Sequence, residues 1–329
     1  MECFRVERVI VAAFLMFGSG CSPHASVTPP TATPRGEALQ VPDTEFVASL
    51  KVERTTLGQR RRVVAIDEAH HNFHTLRGRY RPFAQLLEAD GYVVRASTSR
   101  FVADSLAGVD VLVVANPLNE SQVNLGSWHG APVSAFTTDE IAALTQWVSA
   151  GGRLLLIADH MPFAGAASDL ATALGVRWLN AFVMHGNPSA GTGDYPITFR
   201  RTDGTLAAAR PIDVDSVTTF TGSAFLASGP SRITPLLLLP SDATILLPDT
   251  AWRFSGTTRR VREPSALQGG LLEFGAGRVA LFGEAAMFSA QLKGPRRLPM
   301  GMNAPVAAQN PAFVLQVMHW LDAAAPRSP

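Results

Sequence analysis

The chain has 329 residues, 47% hydrophobic and 17% charged, too apolar to stay unfolded and long enough for one large α/β domain. Lys plus Arg number 28 against 27 Asp plus Glu, a net charge of +1; with no electrostatic grip on phosphates, nucleic acid is excluded as the default partner. The only two cysteines, Cys3 and Cys21, fall in the first 21 residues, so the rest of the chain has no disulfide, cysteine metal ligand or thiol nucleophile.

Arg5 and Arg8 precede an apolar run over residues 9–17 and then Gly18-Ser19-Gly20-Cys21. A basic start, a short apolar core and small residues make a secretory signal, and the core is too short to span a bilayer, which takes about 20 residues. The small residues end directly on Cys21, which resembles a bacterial lipobox, where the thiol is acylated and becomes the new N-terminus. The expectation is a lipid-anchored protein of the bacterial cell envelope, facing the periplasm or the exterior. The alternative is an ordinary signal peptide cut nearby. Residues 22–44 are rich in Pro, Thr, Ala and Ser without an apolar period, the composition of a semi-extended spacer. The predicted organisation is a signal peptide over 1–21, a tether over 22–59 and an α/β domain over 60–329.

Within the domain, residues 62–66 (RVVAI) read as a buried parallel strand, and Pro82 opens a helical pattern that Gly91 stops. Residues 92–96 and 109–115 read as the next strands. Thr137-Thr-Asp-Glu140 has the spacing of a capping box, Ile141, Leu144 and Val148 share a helical face, and Gly151-Gly152 ends that helix. Residues 153–158 (RLLLIA) and 278–282 (RVALF) are further buried strands, and Asn310-Pro311 is expected to cap a last helix. Alternating strands and helices predict a doubly wound parallel sheet of the flavodoxin-like kind. Residues 180–272 break the alternation. Segments 197–200, 216–220, 244–247 and 252–254 read there as short strands, a β-rich excursion beside the main sheet.

In an open parallel sheet, ligands bind outside the carboxyl ends of the strands. Behind RVVAI come Asp67, Glu68, His70, His71, Asn72 and His74; behind the third strand, Asn116; behind RLLLIA, Asp159 and His160; behind RVALF, Glu284. Residues 67–79 are long for a βα connection, as functional loops often are. Imidazoles and carboxylates together suit a divalent metal such as Zn or Mn, with Asp67, His70, Asp159 and His160 as ligands. Glu284 or Glu68 would then be the general base, and His71, Asn72, His74, Asn116 and His185 would contact substrate. For each single histidine the competing expectation is a loop-stabilising donor. H-E-x-x-H is absent. Asp67-Glu68-Ala69-His70 spells a helicase box, but no Gly-Lys pair exists to complete a phosphate loop, and no G-x-S-x-G supplies a serine elbow. The glycine-bearing segments 185–188 and 191–194 have the freedom to act as a lid over the site.

The stretches 66–72, 137–157, 283–288 and 310–321 together resemble the class I glutamine amidotransferase-like superfamily, in particular its DUF4350-type members and, more distantly, ThuA-like proteins. The resemblance covers about residues 62–321 and implies that family's α/β fold. The family's amidotransferases carry a cysteine at the elbow and a His-Glu pair after a late strand. Here the elbow holds Asp159, and Glu284 has no following histidine, so glutamine hydrolysis is not carried over. Two functions stay open: a metal-assisted hydrolase of the envelope, or a non-catalytic lipoprotein that binds a sugar, peptide or partner protein.

Overall fold

The computed structural model describes residues 40–48, 50, 61–124, 128–185, 196–210, 212–228 and 232–323. The signal peptide, Cys21 and residues 22–39 lie outside these, as do residues 186–188 and 191–194 of the expected lid.

A nine-stranded mixed sheet organises the fold. Its first half is five parallel strands, Val63–Asp67, Val93–Ser97, Val111–Ala115, Arg153–Ile157 and Gly277–Phe282. Numbered in chain order they lie 2-1-3-4-5 across the sheet. Four of the five are continuous apolar runs because both faces are covered. Val64, Ile66, Val113 and Ile157 face one core with Phe83 and Leu87 of the Arg81–Ala89 helix and Phe313 and Val317 of the Asn310–Asp322 helix. Ala65, Leu112, Val114 and Leu156 face the other with Leu144 and Val148 of the Thr138–Ser149 helix. Side chains alternate across a strand, so a one-residue slip would exchange these two sets. Each fully buried side chain of this size contributes on the order of 1.5–3 kcal/mol.

Three features depart from the sequence expectation. First, much of the β-rich excursion belongs to the main sheet. Leu267–Phe274 pairs antiparallel with the fifth parallel strand, and Ala224–Ala227, Val176–Leu179 and Ile233–Leu238 extend the sheet from there. Ile197–Arg200 pairs with Ser216–Thr219 as a separate hairpin. Trp252 sits in a turn rather than a strand, with φ +63°.

Second, the expected tether is partly folded. Val41–Pro42 pairs with Ala290–Lys293, and Phe46, Ala48 and Leu50 pack against the core, because three apolar side chains in a polar stretch find an apolar surface.

Third, Asn310 does not cap the last helix; its amide spans the backbone N–H and C=O of Thr218, at 2.9 and 2.7 Å. The Thr137 capping box forms as read. No helix among the described residues is long and apolar enough to cross a membrane.

Candidate functional site

The loop after the first strand sends its side chains two ways. Asp67 and His70 turn inward. His70 Nδ1 lies 3.0 and 2.9 Å from the two Asp67 carboxylate oxygens, and Nε2 lies 2.9 Å from Glu140 Oε1. With a carboxylate on each nitrogen, both must carry hydrogen, so the ring is an imidazolium. Burial works against that charge, but the bonds and attraction of Asp67 and Glu140 outweigh it and raise the His70 pKa. The ring is wedged between Phe101 and Phe136, with centroids 4.4 and 4.7 Å away. Glu140 is the acid of the capping box. Against the cost of burial, Thr137 and His70 draw its pKa down to about 2. Arg100 closes the cluster from the surface at 3.0 Å. His70 therefore has no lone pair to offer a metal, and together with Asp67 and Glu140 it forms an internal ion cluster. Glu68 accepts Leu76 N–H at 2.8 Å, Asn72 accepts His70 N–H, and His71 is exposed. His185 is exposed beside Asp242.

The other branch reaches a cavity of about 40 Å³ at the carboxyl ends of the third, fourth and fifth parallel strands. Its polar lining includes His74, Asn116, Asp159, His160 and Glu284, five of the residues that the strand-end rule selects. Asn116 shapes the elbow: its Oδ1 accepts Asp159 N–H at 2.8 Å, and its C=O accepts Phe73 N–H at 2.9 Å. Asp159 Oδ1 accepts His160 N–H at 2.7 Å. His160 donates from Nδ1 to Met161 C=O at 2.7 Å, and its ring stacks on Phe182 at 4.6 Å.

Glu284 is 1% exposed and receives backbone N–H bonds from Ala286 and Met287, each at 2.8 Å. Burial first, and the negative charge of Asp159 second, push its pKa well above the carboxylate range; the backbone donors pull the other way. His74 is shifted down by burial, Arg79 and His160, and is neutral. Two like charges in one cavity oppose each other's ionisation, and Glu284 is the carboxyl whose charged form is disfavoured.

Sequence reasoning missed Thr221, Trp252 and Gln291, which line the same cavity. Thr221 stands opposite Glu284 because Gly222 and Gly283 let two backbones meet: a Cβ on Gly222, at φ +107°, would lie 2.3 Å from Gly283 O. Buried Gln268 locks the crossing by donating to Thr221 C=O at 2.8 Å. Asn116, Thr221 and Trp252 all have positive φ (+53°, +139° and +63°), three of the five such non-glycine residues among those described. Strain held at one site is a mark of function rather than of folding. No local signal in the sequence announces these conformations. Among the described residues, no three His, Cys, Asp or Glu side chains stand where they could share a metal ion.

No protein-family model and no curated protein matches the chain. Among solved structures it is similar to the mmIFT52 N-terminal domain, with TM-score 0.54 and 14% identity over 80% of this chain and 100% of that one. A thuA-like protein from Parabacteroides merdae gives 0.44 at 12% identity, over 82% and 93% of the two chains. Cytoplasmic protein STM1381 from Salmonella typhimurium LT2 gives 0.45 at 14%, over 80% and 100%. At such identities the likeness to the first shows an α/β fold and nothing further.

Proposed function

We propose that the protein is a hydrolase-type enzyme of the bacterial cell envelope, built on a flavodoxin-like, class I glutamine amidotransferase-like scaffold and anchored through a lipidated Cys21. The observation that carries the reading is the Asp159–Glu284 pair: two buried carboxyls from neighbouring strand ends line one cavity, and burial and the charge of Asp159 raise the pKa of Glu284 well above the carboxylate range. Such a pair supplies an acid and a base at the same pH. Glu284 donates to the leaving group, and Asp159, aligned by Asn116 and His160 N–H, accepts a proton from water. The acid–base work is assigned to these two carboxyls because they share one cavity. The alternative, a non-catalytic binding lipoprotein, is favoured by four residues of the same cavity that each carry an unpaired polar atom.

A panel of chromogenic glycosides, esters and amides, assayed with and without EDTA, tests the reading. Turnover should survive chelation and vanish in Glu284→Gln and Asp159→Asn. It should also fall at alkaline pH as Glu284 ionises, at a pH well above the ordinary carboxylate range. Turnover lost to EDTA and restored by Zn²⁺ or Mn²⁺ would return the chemistry to a metal. Ligand binding with no turnover would make the protein a binder.

A further inference from the structure

Four residues lining the cavity each carry a buried polar side-chain atom with no hydrogen-bond partner among the described residues: His74 Nδ1, Thr221 Oγ1, Trp252 Nε1 and Gln291 Oε1. His74, Thr221 and Gln291 are 3%, 4% and 1% exposed, so bulk water does not satisfy them. A buried polar atom left unpaired is costly, and four of them on residues that line one cavity are a template for what fills it. The indole N–H only donates, the amide oxygen only accepts, and the threonine hydroxyl does both. Neutral His74 can do either, but offers no charge. The occupant must therefore present both acceptors and donors.

Charge narrows the choice further. Among the described residues no Lys or Arg lines the cavity and two carboxyls do, so an anion is rejected. An ammonium group has no acceptor for the Trp252 N–H. A hydroxyl group meets every requirement. The cavity of about 40 Å³ exceeds the roughly 10–15 Å³ that a single water needs, so it has room for at least a two-carbon unit with two hydroxyls. Gln40, Phe73 and Trp252 are the half-exposed lining residues and form the rim through which a longer molecule would project.

We infer that the cavity recognises the vicinal-diol end of a neutral hydroxylated ligand, a chemistry shared by free polyols and the termini of glycans. The inference rests on the acid–base reading only for the chemistry after binding; recognition belongs to the orphan atoms.

Titration calorimetry on the full-length protein tests this with glycerol and erythritol as free polyols, a short glycan with a terminal diol, and acetate and propylamine as charged probes. Either polyols or glycan should bind, acetate and propylamine should not, and the stronger class identifies the source. Trp252→Phe and Gln291→Leu should each weaken the preferred probe about tenfold, as expected for one lost hydrogen bond of ~1.4 kcal/mol. Melting curves check that both variants fold, and a variant that does not fold is replaced by Thr221→Val under the same criterion. Glu284→Gln should still bind while losing turnover, which separates the two claims. Diol binding without turnover would defeat the enzyme reading alone. No binding of any diol, equal binding of acetate or propylamine, or unchanged affinity in the folded variants would overturn the inference. So would turnover confined to substrates without hydroxyls.

Discussion

Replacing His70 with Leu removes an imidazolium from between two buried carboxylates while roughly conserving volume. In the wild type, Asp67 and Glu140 are balanced by His70 and by Arg100 at the surface. In the variant Glu140 keeps Arg100, Thr137 and the Phe101 N–H, whereas Asp67, 0% exposed, keeps only the Ala69 N–H. The uncompensated charge on Asp67 therefore sets the cost. Breaking a buried pair by removing one partner typically costs about 3–5 kcal/mol. For a domain of this size that lowers the melting temperature by roughly 5–15 °C. The companion Asp67→Asn/His70→Leu should recover part of the loss, because it removes the stranded charge along with its partner.

The pH dependence has a definite sign. The folded pKa of His70 is raised, so its contribution is fully present below the unfolded value near 6.5 and is lost as pH rises through the folded value. Glu140 behaves oppositely: its contribution is present above its ordinary 4.5 and is lost as pH falls towards about 2. His319, raised first by its hydrogen bond to Asp90, declines in the same alkaline window as His70, so the measurement is the difference between variant and wild type. Urea denaturation followed by far-ultraviolet circular dichroism, at pH steps from 5 to 9, should show the gap between His70→Leu and wild type narrowing as pH rises. A gap under about 1 kcal/mol at pH 6, or one independent of pH, would refute the ion-cluster reasoning.

Two further outcomes are expected. Cys21→Ala should move the protein from the membrane fraction to the soluble fraction in high salt, and retention would remove the lipid anchor. Gly222→Ala places a Cβ 2.3 Å from a backbone oxygen at φ +107°; it should cost on the order of 2–4 kcal/mol and abolish ligand binding in the cavity, and an unchanged melting curve would refute the close crossing.

The parallel half of the fold was legible because its signals are local. A run such as RVVAI or RLLLIA carries its burial in its own composition, and a capping box is complete within four residues. The strand-end rule then reached Asn116, Asp159, His160 and Glu284 without any catalytic motif. What failed was non-local. Val176–Leu179, which the sequence leaves unassigned ahead of the excursion, and Ala224–Ala227 within it join the main sheet only by pairing with each other and the latter with Leu267–Phe274. Thr221, Gln291 and Trp252 reach the cavity from segments whose placement depends on those pairings and on backbone conformations that no residue type announces.

In the histidine-rich loop, composition alone could not decide between two roles. A histidine between two carboxylates reads the same whether it holds a metal or an internal charge cluster; only the distances separate them. Here Asp67 and His70 are consumed within the protein, and their pairing positions the next residues of the loop. With His70 wedged against Phe101 and Phe136 and its carbonyl bound by Leu118 N–H, the chain turns at His71, φ +48°, and Phe73 N–H reaches Asn116. His74 is thereby delivered to the cavity four residues beyond His70. The polar residues of one loop divide between fixing the loop and facing a ligand, and the fixed half is what lets the facing half keep unpaired atoms without collapsing onto them.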